Sequence, residues 1–303
     1  MNLTRTPRPT TIKLAILLSV LAARTATAID VVATSSTGGM LVREIAHEHA
    51  TIEILAPPDR DLHFLQARPS MMRALRGADL LVAIGADLEL GWLPVAVRQS
   101  ANPGILPGRP GYFEFAAQVE LVDVGGVADR ALGDVHPLGN PHMYMDPVRM
   151  ATIATALAER LAQIDPHHAA DYRGHAAAFA AAIERKLPDW EARLRDAPGV
   201  VLFHQDVNYL LYRFDVPLFG FLEPVPGVPP TAAQVRALIN GLTGQAGVVL
   251  YTTFQPAQAA ESLANQLDWP TARLPLEPPL NANGVTYIAH IDRWVDAIAA
   301  GAR

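Results

Sequence analysis

The sequence predicts an α/β protein of two lobes, each a mainly parallel sheet covered by helices, joined by a long helical segment. Three observations carry this. Short apolar runs alternate with helical patterns over residues 30–124 and again over 200–303. Between them, residues 147–196 are Ala-rich, hold Gly174 as their only glycine and keep helical spacing throughout. The length, 303 residues, is a soft prior for about two domains. Alternating strand and helix places neighbouring strands parallel, because each connection must cross back over the sheet.

Residues 1–28 are set apart from the fold. Arg5, Arg8 and Lys13 precede a short apolar run over 14–23, and Ala26-Thr27-Ala28 supplies small residues at a cleavage site. The run is about half of the ~20 residues a spanning helix needs. Cleavage after Ala28 is expected, with a soluble product in an exported compartment. Removing this leader takes the net charge from −6 to −10.

The first strand is expected over 30–34, followed by Ser35-Ser36-Thr37-Gly38-Gly39. That run reads as a tight turn with capping hydroxyls, and more weakly as an anion site at a helix N-terminus. A helix over 40–47, a strand over 51–55 and a proline-bearing loop over 57–69 come next. A helix over 70–76, a buried strand over 79–85 and a fourth strand over 120–124 complete the first lobe. In the helical segment Asp165-Pro166 restarts the helix. The second lobe has strands over 200–203, 217–221, 248–251 and 272–276, with helices starting near Thr231, Pro256 and Val285. The expected division is therefore leader 1–28, first lobe 29–146, linking segment 147–196 and second lobe 197–303.

Half the residues are apolar and 18% are charged, which supports sizeable cores and argues against a disordered chain. The negative charge speaks against nucleic acid as a partner. There is no cysteine, which excludes a disulfide framework, a Cys-based zinc module, a thiol nucleophile and a cysteine-anchored lipoprotein. Stability should then rest on two α/β cores and the linking helix. No GxGxxG, GxxxxGK[ST], GxSxG or HExxH is present.

Open α/β sheets bind ligands beyond the carboxyl ends of their strands. There the sequence places His63 in Asp61-Leu62-His63, His136 and His142 in GDVHPLGNPHMYMDP, His204 in VVLFHQD, Glu223 in LFGFLEP and Glu277 in RLPLEP. Imidazole suits zinc, copper, iron and nickel, and a carboxylate can complete a tetrahedral shell without sulfur. The plain alternative is a set of unrelated loop histidines. His136, six residues before His142, is an accessory candidate. His47, His49, His167, His168, His175 and His290 read as structural or solvated.

Together these segments resemble the periplasmic solute-binding proteins of zinc and manganese ABC transporters, the ZnuA/TroA-like class, over essentially the whole mature chain. The resemblance rests on VREI, HFLQARPSMMRALRGADLLVAIGADLELGWL, NPHMYMDP, VLFHQD and PGVPPTAAQV. It implies two Rossmann-like lobes, a rigid linking helix and one metal in the interlobe cleft. It carries the ligand roles onto His63, His142, His204 and Glu277, with Glu223 or a water as rivals to Glu277. It implies a carrier and not an enzyme: a monomeric zinc-binding protein that serves an inner-membrane ABC permease, with manganese (Mn2+) less favoured than Zn2+. A metal-loading periplasmic partner is a further expected contact. Asp61, Asp146 and Asp206 are candidates to orient the histidines, with helix capping as the alternative for the last two. Unperturbed imidazoles would lose metal near pH 6–7. Two other readings are a metal-dependent hydrolase with Glu223 as base and a binding protein for an organic solute.

Overall fold

The computed structural model describes residues 28–125, 136–223 and 227–302. The expected leader falls outside these residues, apart from Ala28. The first lobe contains β1 (Ile29–Ala33), α1 (Ser36–Ala46), β2 (Ala50–Ile54), α2 (Pro69–Gly77), β3 (Leu80–Ala83), α3 (Leu93–Ser100) and β4 (Tyr112–Glu114). Two linking helices follow, α4 (Pro147–Ile164) and α5 (Ala169–Leu194). The second lobe contains β5 (Gly199–Leu202), α6 (Asn208–Arg213), β6 (Leu218–Phe221), α7 (Ala232–Leu242), β7 (Gly247–Thr252), α8 (Ala257–Leu267), β8 (Thr271–Leu274) and α9 (Gly284–Ala299).

Both sheets are four-stranded, with orders β2-β1-β3-β4 and β6-β5-β7-β8, and every pairing between these strands is parallel. In each, the chain leaves the first strand in one direction and returns on its other side. That reversal opens a crevice beyond the carboxyl ends of β1 and β3, and of β5 and β7. The central strands β3 and β7 are buried along their whole length, as expected of strands covered on both faces.

Helix α1 starts four residues earlier than its hydrophobic pattern indicates. Ser35 caps it, its hydroxyl accepting from the Gly38 amide at 3.0 Å. The two glycines disguise the first turn because they carry no apolar side chain. Gly39 is required by packing: a Cβ there would sit 2.5 Å from Cδ1 of Ile54 on β2.

The fourth strand is a correction. Residues 120–124 are not a strand; β4 is Tyr112–Glu114, in register with Leu81–Ala83 of β3. The run that looked like a strand is tied elsewhere. The Val122 carbonyl accepts from the Asn140 amide at 2.8 Å, and the Val122 amide donates to the Tyr209 hydroxyl at 3.1 Å. Alternating apolar character here reflects packing on the loop before His142. The true strand is three residues long, too short to show a period.

The linking segment is a helix pair. Asp165 ends α4 and caps the next turn, its carboxylate accepting from the His167 amide. Helix α5 has 26 residues, about 39 Å of rise. Its buried residues Tyr172, Ala176, Phe179, Ile183, Trp190 and Leu194 follow helical spacing along one face. That face meets both lobes: His175 Nδ1 donates to the Ile45 carbonyl of α1 at 2.9 Å, and Trp190 Nε1 donates to Asp292 of α9 at 2.7 Å. The central core is accordingly shared. One continuous buried cluster runs from Val31 and Leu80 through Leu157 and Phe179 to Leu202 and Trp294. Only the outer layers are separate, one in each lobe. The linking helices thus join the expected two α/β cores through one shared buried cluster.

Candidate metal centre

Three of the predicted histidines converge. One ring nitrogen each of His63, His142 and His204 lies within 4.8 Å of the others, the only such group of three or more potential ligands among the described residues. His63 sits in a 3-10 turn, Leu62–Phe64, capped by Asp61. His142 opens the turn Met143–Met145 ahead of α4. His204 follows β5, whose end delivers it into the crevice. Their rings are mutually tilted or perpendicular, with centroids 5.7 to 5.9 Å apart. Thus no ring stacks on another and the nitrogens face a common point.

The outward nitrogens are held by other groups. Asp61 Oδ1 accepts from His63 Nδ1 at 2.6 Å, which places the proton on Nδ1 and the lone pair on Nε2. His142 Nδ1 bonds the Tyr144 hydroxyl at 2.9 Å, and its amide donates to Asn140 Oδ1. His142 Nε2 and His204 Nδ1 are buried and have no hydrogen-bond partner among the described residues. Unpaired buried nitrogens are costly and rare, and in the tautomers that leave their lone pairs bare these two could serve an electron-pair acceptor such as a metal ion. Burial above all holds His142 well below the usual imidazole pKa and lowers His204 to about 3, with further lowering from His63. Both are neutral at pH 7, the form that ligates a metal. Proton loss near pH 6–7, expected of unperturbed rings, therefore does not apply to these two.

Carboxylates surround the trio without joining it within the same span. Asp206 Oδ1 is 3.6 Å from His142 Nε2, and Glu223 Oε2 is 3.7 Å from His204 Nδ1. Asp206 is buried, and its other oxygen accepts from Gln255 Nε2 at 2.6 Å. Burial, then the charge of Asp61, push its carboxyl up to about 7. Burial also opposes ionisation of Asp61, but the hydrogen bond and charge of His63 outweigh it and hold Asp61 below its ordinary value.

Glu277 reaches across from the second lobe to the N-terminus of α1. Its Oε2 accepts from the Thr37 amide at 2.7 Å, the Thr37 hydroxyl at 2.7 Å and the Ser36 hydroxyl at 3.0 Å. The anion site read weakly in Ser35-Ser36-Thr37-Gly38-Gly39 is thus filled by the chain's own carboxylate. Glu277 Oε1 is buried and has no hydrogen-bond partner among the described residues. Burial raises the Glu277 carboxyl, against the bonds from Thr37 and Ser36 and the nearby Tyr144 hydroxyl, which lower it. His136 stands outside the trio but beside it, its Nε2 3.0 Å from His63 Nε2.

Asp146 takes its alternative role. It caps α4, accepting from the Val148 amide, and pairs with Arg149 and Arg213. His290 is structural: Nε2 donates to the Leu276 carbonyl at 3.0 Å and steadies the turn that carries Glu277. The pairs His47–His175 and His49–His168 stack at 3.9 and 3.7 Å, away from the centre. Tyr144, Asn140 and Gln255 were missed by sequence reasoning. Only Tyr144 and Asn140 had a local signal, two residues either side of His142.

Comparison with known proteins adds a family match. The family model described as ZnuA, zinc-uptake complex component A, periplasmic, matches residues 31–301. The high-affinity zinc uptake system protein ZnuA of Brucella abortus (strain 2308) is 25% identical over 144 residues, 46% of this chain. That match spans 42% of the relative, less than half its length. The ZnuA of Paracoccus denitrificans (strain Pd 1222) is 26% identical over 246 residues, covering 70% of this chain and 72% of the relative. The solved FpvC of Pseudomonas aeruginosa in complex with Mn2+ superposes with a TM-score of 0.75 at 21% identity, covering 91% of this chain and 98% of FpvC. This last likeness is one of fold.

Proposed function

This chain belongs to the ZnuA family of solute-binding proteins, and on that premise we propose that it is a periplasmic carrier that captures zinc with high affinity and passes it to an inner-membrane ABC permease. The observation that carries the proposal is the convergence of His63, His142 and His204 with unpartnered, buried nitrogens on the last two. In this reading His63 Nε2, His142 Nε2 and His204 Nδ1 bind the ion. Glu277 supplies Oε1 as fourth ligand, its other oxygen already anchored on Thr37 and Ser36. Glu223 is the rival, since its oxygen lies 3.7 Å from His204 Nδ1.

Three imidazoles and one carboxylate favour zinc over manganese, which binds more weakly to any nitrogen-rich site and prefers oxygen donors. A carrier needs a closed shell with no open catalytic position. The test is metal content of untagged protein by mass spectrometry, followed by competitive titration with zinc and manganese. One equivalent of zinc, bound at least about 100-fold more tightly than manganese, is expected from the donor set. Equal affinity would sink the zinc assignment, and no stoichiometric metal would sink the carrier reading.

Asp206 adds a pH prediction. Its carboxyl, raised to about 7, is partly protonated at neutral pH. A cation beside it favours the carboxylate, so zinc uptake at pH 6–7 should expel its proton. At pH 8.5 that proton is already gone. His142 and His204 are neutral throughout and add none. Calorimetry in buffers of different ionisation enthalpy should show extra proton release near pH 6.5 in the wild type and its loss in Asp206→Asn. Identical release by both proteins would overturn the prediction.

A further inference from the structure

The metal centre draws on both lobes, and the same two segments are tied a second time nearer the surface. Asp123, in the first lobe, reaches across the lobe boundary to α6. Its Oδ2 accepts from Asn208 Nδ2 at 2.8 Å, and its Oδ1 accepts from the Tyr212 hydroxyl at 3.1 Å. The same Oδ2 accepts from Asn140 Nδ2 at 3.2 Å. The lobes cannot part here without breaking bonds to that one carboxylate.

Its partners lead to two ligands of the centre. Asn140 Oδ1 accepts from the His142 amide at 2.9 Å, and Asn140 Nδ2 donates to the carbonyl of Gln205, the neighbour of His204, at 2.9 Å. Asn208 opens α6, just after the turn that His204 begins. Asn140 and Asn208 are 2% and 1% exposed, whereas Asp123 is exposed. The carboxylate thus closes a buried chain of amides from the side that water reaches. We propose that Asp123 is the latch of the cleft: a positioning residue that holds the His142 loop against the His204 turn and sets how long the bound ion stays. This rests on the reading of His142 and His204 as resident ligands. An ion held by both histidines ties the segments that Asp123 ties, so each tie strengthens the other, and the coupling is reciprocal. Affinity changes of this kind fall mostly on the release rate.

The test compares the wild-type protein with Asp123→Gly and Asp123→Asn by stopped-flow zinc uptake and chelator-driven release. Asp123 has φ 54°, which glycine adopts without strain and asparagine tolerates, so neither variant stresses the backbone. Glycine removes every bond to the carboxylate. Asparagine keeps the shape: its oxygen accepts from the two amides and its nitrogen donates to the Tyr212 oxygen. Release should quicken about tenfold in Asp123→Gly and stay within about threefold of wild type in Asp123→Asn, with uptake changed by less than about threefold in both. The cobalt(II) absorption spectrum at saturation should be the same in all three proteins, because the ligands are the same. Release from Asp123→Gly at the wild-type rate overturns the proposal. So does equal quickening in both variants, which would make the charge near the ion, and not the bonds, the cause. An altered cobalt spectrum in Asp123→Gly overturns it too, since Asp123 would then shape the ligand shell itself. A wild type that takes up no zinc overturns the carrier reading, and the proposal falls with it.

Discussion

His142→Ala should weaken zinc binding by two to three orders of magnitude while leaving the protein folded. Four-ligand zinc sites release about 10–16 kcal/mol in total, so one ligand is worth roughly 3 kcal/mol or more. The loss should not be recovered by water, because His142 lies 2% exposed in a pocket closed by Tyr144. The fold should survive because the imidazole makes one side-chain hydrogen bond, to Tyr144, and its Nε2 has no partner among the described residues. His204→Ala should behave alike, since its Nδ1 is equally without a partner. Competition against a chromophoric chelator measures the affinity, with circular dichroism confirming the fold. Affinity within about tenfold of wild type in both variants would remove the site.

Asp146→Ala should be strongly destabilising, at about 3 kcal/mol or more. The carboxylate is fully buried and holds three things at once: the start of α4 through the Val148 amide, Arg149 of the same helix, and Arg213 of α6 in the second lobe. Breaking a buried ion pair costs about 3–5 kcal/mol, because the partner charge is left uncompensated. Arg149 and Arg213 are 22% and 33% exposed, so water softens that penalty towards its lower end. Loss of the cap adds about 1 kcal/mol. Asp146→Asn should lie between, since asparagine caps a helix almost as well as aspartate but pairs with no arginine. Urea unfolding of the metal-free protein checks this. A cost below about 1 kcal/mol for Asp146→Ala would show that the arginines find other partners.

Much of the fold is legible in the amino-acid sequence. Strands β1, β2, β3, β5, β6, β7 and β8 and the linking helices fall near their predicted places because each carries a clear apolar run or a long unbroken helical pattern. Where tertiary packing overrode local pattern, the reading failed. Residues 120–124 look like a strand because they pack on Tyr209 and Asn140, and β4 is too short to announce itself. The first turn of helix α1 holds two glycines that local propensity disfavours, because the sheet beneath leaves no room for a side chain at Gly39. The short helix α6 after His204 gave no periodic signal at six residues.

For the centre, the sequence alone determined which residue types were available and roughly where. A chain without cysteine offers a metal no thiolate, which leaves imidazole and carboxylate as the main donors for zinc, and the βα alternation brings the segments holding His63, His142 and His204 to strand ends. Only the tertiary structure decided which atoms matter. The nitrogen that faces the centre depends on what holds the other one, and those partners are Asp61 and Tyr144. The neutrality of His142 and His204 depends on burial, which the whole fold supplies. The seat of Glu277 depends on Ser36 and Thr37, some 240 residues away along the chain. Composition and strand order are properties of local runs and can be read in one dimension. Tautomer, charge state and the choice among carboxylates are set by desolvation and by hydrogen bonds between distant segments, and these exist only once the two lobes share a core.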